Sequence, residues 1–128
     1  MSAQIAIAVM FLLSCCIDAK AWQRLTSRQA SQHPGEANLE VMMTVKNSQY
    51  AMQTEGALHL DSEADASHAD NLRISLTASA LAQLTERGIV NPARYFMGKQ
   101  LEIHGAVMQI NGRAVLPITQ ADQIVELR

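Results

Sequence analysis

Four histidines, one acidic run and a scatter of basic side chains are the residues of this chain whose types could do chemistry. The acidic run, 61-DSEADASHAD-70, sets Asp61, Glu63 and Asp65 at alternate positions, like the opening of an EF-hand loop. Such a loop needs a glycine at its sixth position for the sharp turn and a bidentate glutamate at its twelfth. Those positions hold Ala66 and Leu72, so a solvated acidic loop is expected rather than a calcium site. Zinc sites announce themselves by short ligand spacings. His33, His59, His68 and His104 lack them, and only folding would bring His59 near His104. No metal and no cofactor are expected. Neither G-x-S-x-G, a P-loop nor G-x-G-x-x-G occurs, which leaves no nucleophile elbow or phosphate cradle to carry catalysis. The chain reads as a non-enzyme, and binding is the role that remains.

Six residues are the candidates for that role: Lys46, Tyr50, His59, Arg73, Ser75 and Arg113. The basic side chains would contact phosphates and Tyr50 would stack on a base. They act together only if the intervening elements bring them to one surface.

Those elements are legible from hydrophobic period. The stretch 39-LEVMMTVKN-47 alternates, with Leu39, Val41, Met43 and Val45 in one phase, as in a half-buried strand. The segments 57-ALHLD-61 and 72-LRISLT-77 alternate likewise and give second and third strands. The period then lengthens over 77-TASALAQLTERGI-89. Thr77 or Ser79 would cap this helix, and Gly88 would stop it in a Schellman motif with Ile89 folded back on Leu84. Asn91-Pro92 starts a further helical turn through residues 93–99, in which Tyr95 and Phe96 would pack against the end of the fold. Finally 101-LEIHGAVMQINGRAVLPI-118 turns at Asn111-Gly112, the strongest short hairpin signal, and extends to 124-IVEL-127. Gly105 interrupts the hairpin's first strand, where a glycine marks a bulge, a corner or close backbone approach. The order strand, strand, strand, helix, strand, strand is that of a five-stranded OB-fold barrel with its helix between strands 3 and 4.

Ahead of that domain, residues 1–21 contain an uncharged run of 13 residues from Ile5 to Ile17. It is too short to span a bilayer and has the length of a signal-peptide core. Ala19-Lys20-Ala21 offers a cleavage site before Trp22, the favoured reading, although Met1 to Gln4 carry no basic residue. Leu12-Leu13-Ser14-Cys15 offers the alternative, a lipobox with Cys15 acylated, and only that reading puts the protein on a membrane. A buried helix of a cytosolic protein fits less well, because the run has no polar face. Residues 22–38 read as a linker or short helix, and 39–128 as the domain.

Both cysteines, Cys15 and Cys16, fall in the leader, so the remaining chain has no disulfide or thiol chemistry. Removing the leader takes away one charge of each sign, Asp18 and Lys20, and leaves the net charge at −2. That sign disfavours a dedicated nucleic-acid binder. Aromatics are scarce too: beyond the leader only Trp22, Tyr50, Tyr95 and Phe96 occur, whereas single-strand binders stack bases on several rings.

From His33 to Leu127 the sequence resembles a group of small exported bacterial OB-fold domains. The resemblance rests on 44-TVK-46, 58-LHLDSE-63, 95-YFMGKQLEIHGAV-107, 112-GRAVLPI-118 and 120-QADQI-124. It departs in the second strand, where His59 and Asp61 replace a phenylalanine and an asparagine. The resemblance implies a nucleic-acid-type OB barrel in an extracytoplasmic setting, without an assigned activity. The expectation is therefore a periplasmic or secreted binding module whose ligand is a protein, a glycan or another envelope partner. The alternative is an OB domain that binds single-stranded oligonucleotides.

Overall fold

The computed structural model describes residues 22–51 and 57–127. The leader, with Cys15, Cys16 and the Ala19-Lys20-Ala21 pattern, lies outside the described residues. No helix of the described residues is long and apolar enough to cross a membrane.

The chain is mainly β, with its strands in two sheets. The first sheet orders β1 (Gln23–Thr26), β2 (Leu39–Thr44), β6 (Gln100–Gly105) and β9 (Ile124–Glu126) as β1-β2-β6-β9. The second orders β3 (Asn47–Tyr50), β4 (Leu58–Asp61), β5 (Leu72–Leu76), β7 (Met108–Ile110) and β8 (Arg113–Ile118) as β3-β4-β5-β8-β7. These are two sheets of four and five strands, not the single closed five-stranded barrel that the element order suggested. Two of the expected strands are each broken in two, the expected extension of the last one is a separate strand, β9, and the stretch 22–38 contributes one more. That stretch forms β1 and a short helix, α1 (Ser27–Ser31), which together with β2 make a β–α–β unit with β1 parallel to β2. A reciprocal capping box between Thr26 and Gln29 starts α1, and Ala30 is fully buried.

The two breaks explain how the sheets share chain. At Val45, between β2 and β3, the backbone leaves the ladder and bonds instead to the turn after α3 (Pro92–Phe96): Val45 donates to Lys99 O at 3.0 Å, and Gly98 donates to Val45 O at 2.8 Å. At Val107, between β6 and β7, a second turn does the same. Val107 donates to Glu36 O at 3.1 Å and accepts from Gly35 at 2.7 Å. Buried backbone groups need partners, and borrowed turns supply them where the ladders lapse.

Gly105 sits just before the second break. A Cβ there would come within 2.8 Å of Leu116 Cδ2. The glycine leaves room for the close approach of a core side chain from the other sheet, where the sequence suggested a bulge, a barrel corner or close approach of another backbone.

The remaining elements follow their local signals. Alternation holds in β2 and β5, over Leu58–Leu60 of β4 and over Leu101–Ile103 of β6, so Leu39, Val41, Leu58, Leu60, Leu72, Ile74, Leu76, Leu101 and Ile103 are fully buried. The helix α2 (Ala78–Glu86) is capped by Thr77, whose side chain accepts from Ala80 N. It ends as the Schellman motif requires, with Ile89 donating to Leu84 O, Gly88 donating to Thr85 O, and Gly88 at φ +89°. Asn111 and Gly112, both at positive φ, close the β7–β8 hairpin as a type I′ turn demands. The segment after β8 is not an extension of that hairpin. It passes through a 3-10 turn, Ala121–Gln123, and β9 pairs with β6 in the other sheet. A clamp fixes β9: Tyr95 donates to Glu126 Oε2 at 2.7 Å, while Lys99 lies 3.6 Å from Glu126 Oε1 and 4.4 Å from the Tyr95 ring centroid. The hydrogen bond to Glu126 raises the Tyr95 pKa above its ordinary value.

Candidate functional site

Strand register decides which of the six candidates share a surface. In the five-stranded sheet, Leu58, Leu60, Leu72, Ile74 and Leu76 face the core, so their neighbours face outward. One outward row runs Gln49, His59, Ser75, Pro117 across β3, β4, β5 and β8. The next runs Asn47, Asp61, Arg73, Val115, Met108 and reaches β7. Arg113 stands one step along β8 in the same phase, beside the hairpin turn. Four candidates, His59, Arg73, Ser75 and Arg113, therefore share this outer face.

The other two do not. The break at Val45 shifts the alternation, so that Lys46 follows the outward phase of β2 while Asn47 begins the outward phase of β3. Lys46 lines a groove with Met42, Thr44, Gln100 and Glu63 on the other sheet's side, and its Nζ is 3.4 Å from Glu63 Oε2. Tyr50 is the last residue of β3 rather than a loop residue, and it shares a side with Leu58. Its hydroxyl donates to Asn91 Oδ1 at 3.1 Å, so the ring braces the start of α3 and is no platform on the His59 face.

Electrostatics reduce the face further. Asp61 is fully buried, and Arg73 grips it with two hydrogen bonds, Nε to Oδ1 at 2.9 Å and a terminal nitrogen to Oδ2 at 3.2 Å. Asn71 donates to Oδ1 at 3.1 Å and Asn47 to Oδ2 at 3.4 Å, which completes the carboxylate's shell. The departure that put Asp61 in the second strand thus supplies the partner that neutralises Arg73. His59, half-buried, has its pKa lowered by burial first, then by the Arg73 charge, against a smaller opposing pull from Asp61. It is uncharged at neutral pH. Arg113 is exposed and makes no ion pair among the described residues. Among the described residues, the outer face is thus nearly neutral at its centre, with Arg113, whose charge acts on Asp65, at its rim, exposed Met108 nearby, and no Trp, Tyr or Phe side chain.

The acidic run behaves as a closed loop. Asp61 is committed to Arg73, and Asp65 turns back to accept from the Ser67 N–H at 2.9 Å and hydroxyl at 2.7 Å, hydrogen bonds that hold its pKa below the ordinary value. Asn71 ties the loop together by accepting from Glu63 N and donating to Ala66 O. The first and fifth positions of an EF-hand are therefore spent on internal bonds.

His59 and His104 fall on different sheets, β4 and β6. What gathers around His104 instead is acidic. On the outer face of the four-stranded sheet, Glu40 of β2 is the direct cross-strand neighbour of His104, and Glu102 lies two residues back on the same side. One potential ligand atom from each lies within 4.8 Å of the others. Histidine-to-histidine spacing carries no trace of this group. The signal that does is Glu102-x-His104 on an outward strand phase, with Glu40 in the outward phase of the strand that pairs with it.

No protein-family model, curated protein or solved structure matches the chain.

Proposed function

We propose that this protein is a non-catalytic binding module, exported by cleavage before Trp22, whose ligand surface is the outer face of the five-stranded sheet and whose ligand is a segment of another protein. The two sheets are read as halves of a partly open OB-type barrel. Support comes from pairing: β2 continues into β3 and β6 into β7, β5 runs parallel to β8, and α2 lies between β5 and β6. The outer faces of the second and third OB strands are where such folds take ligands, flanked by the loops after the first and fourth. In this chain those strands are β4 and β5.

The observation that carries the ligand class is the neutral centre of that face. Arg73 is consumed by Asp61, and burial keeps His59 uncharged. A single-strand binder combines a positive groove with stacking rings, and among the described residues this surface presents neither. Uncharged hydrogen-bonding side chains at Gln49, His59 and Ser75, with Met108 and Pro117 alongside, match the charge-depleted, Met-enriched centre of a protein interface, and Arg113 suits its rim. Export rests on the leader's uncharged core and its Ala19-Lys20-Ala21 pattern.

A labelled fifteen-residue oligothymidylate, titrated with the protein at low and physiological salt, tests the ligand class. No saturable rise in anisotropy at physiological salt is expected. Binding that weakens steeply with salt, as phosphate contacts require, and that is lost in Arg113→Ala would replace this reading with the oligonucleotide one.

A further inference from the structure

We propose that Glu40, Glu102 and His104 form a binding site for a first-row divalent cation of the zinc type, with Arg24 as the group that the cation displaces. The three side chains come from two paired strands and face one side of the four-stranded sheet. Their ligand atoms all lie within 4.8 Å of one another, and His104 Nε2 is already 3.2 Å from Glu102 Oε2. A cation held at about 2.0–2.2 Å from each donor needs only small rotamer adjustments to reach all three. One imidazole with two carboxylates suits a borderline cation such as Zn2+, and three protein ligands leave coordination positions open.

A positive charge already occupies this position. Arg24 Nε lies 3.2 Å from Glu40 and its terminal nitrogen 3.8 Å from Glu102, so the guanidinium bridges the same two carboxylates. Yet the Arg24 side chain is 74% exposed, against 23% and 16% for the glutamates. It reaches in from β1, the edge strand. The ligands are the more buried part, and their counter-charge is an exposed arm whose ion pairs contribute little. Exchanging one positive charge for two would neutralise both carboxylates. His104 is steadied from two sides: Gln123 donates to its backbone carbonyl at 2.9 Å, and the Trp22 ring lies 5.5 Å from its imidazole between centroids.

Trp22 is the chain's single tryptophan and so a built-in reporter. The test uses the full chain with Cys15 and Cys16 alkylated, which removes the competing thiolates. Zn2+ binding is followed by calorimetry and Ni2+ binding by quenching of Trp22 fluorescence. One saturable site is expected, lost in His104→Ala and at least tenfold weaker in Glu40→Gln. Arg24→Ala should bind several-fold more tightly, because its competitor is gone, although a purely structural ion-pair network would give that variant no new affinity. Circular dichroism of each variant checks that the fold persists. Absence of saturable binding in both the parent and Arg24→Ala proteins, or Zn2+ binding that survives His104→Ala, overturns the proposal.

Discussion

Asp61 shows how one side chain changes the meaning of its neighbours. An outward-facing arginine on a sheet normally offers a charge to solvent or ligand. Here a fully buried carboxylate takes both of its forks, and removing one member of such a pair typically costs about 3–5 kcal/mol because the other charge is stranded. Arg73 therefore belongs to the scaffold first. His59 is coupled to the same pair, and its depressed pKa has a thermodynamic consequence. The unfolded imidazole takes up a proton near its ordinary value of 6.5, while the folded one resists until a lower pH. Between those two values the unfolded state binds more protons, so stability falls as pH drops through the window and rises again with pH. Urea unfolding followed from pH 7.5 to 5 is expected to show this decline, and His59→Asn should flatten it. An unchanged slope in the variant would remove the assignment to His59.

At the scale of elements, the fold turns on two interruptions, at Val45 and Val107, where strands pass from one sheet to the other. Gly105 guards the second. Adding a methyl group there forces Leu116 to move within a packed core, and overpacking of this kind costs about 1–3 kcal/mol. Gly105→Ala should lose that much in denaturant unfolding, and combining it with Leu116→Val should cost less than the two separate losses summed, because contacting sites couple. Strict additivity would place the strain elsewhere. Much of this level was legible beforehand. Period-2 alternation marked Leu39 to Val45, Leu58 to Leu60 and Leu72 to Leu76, while Thr77, Gly88 and Asn111-Gly112 marked the cap, stop and turn. What alternation could not reveal was where it restarts: Lys46 and Asn47 each look regular within their own strand, and the shift between them comes from the turn at Gly98-Lys99. Tyr50 was misleading for the same reason, because its partner Asn91 is distant in sequence. The strand at Gln23–Thr26 gave no clear signal, since its polar residues gain their pairing only from β2. Glu40, Glu102 and His104 stayed hidden because their proximity is set by the β2–β6 register.

For the whole molecule, charge and location are the matters at stake. The net charge of −2 and the neutral centre of the outer face agree in direction, and both point away from polyanions. The intact mass of the protein purified from a fractionated bacterial host is expected to match a chain starting at Trp22. A full-length cytosolic product would remove the export reading and turn the ligand search inward; an acylated chain starting at Cys15 would place the module on a membrane. The most direct measurement concerns the face itself. A photo-crosslinking residue is installed at Ser75, in the middle of the outward row, and in a second protein at Met42, on the outer face of the other sheet, and both are irradiated in the producing cells. A discrete protein adduct from position 75 and none from position 42 is the expected result. No protein adduct from position 75, or adducts only to nucleic acid, would contradict the assignment of this face to a protein ligand.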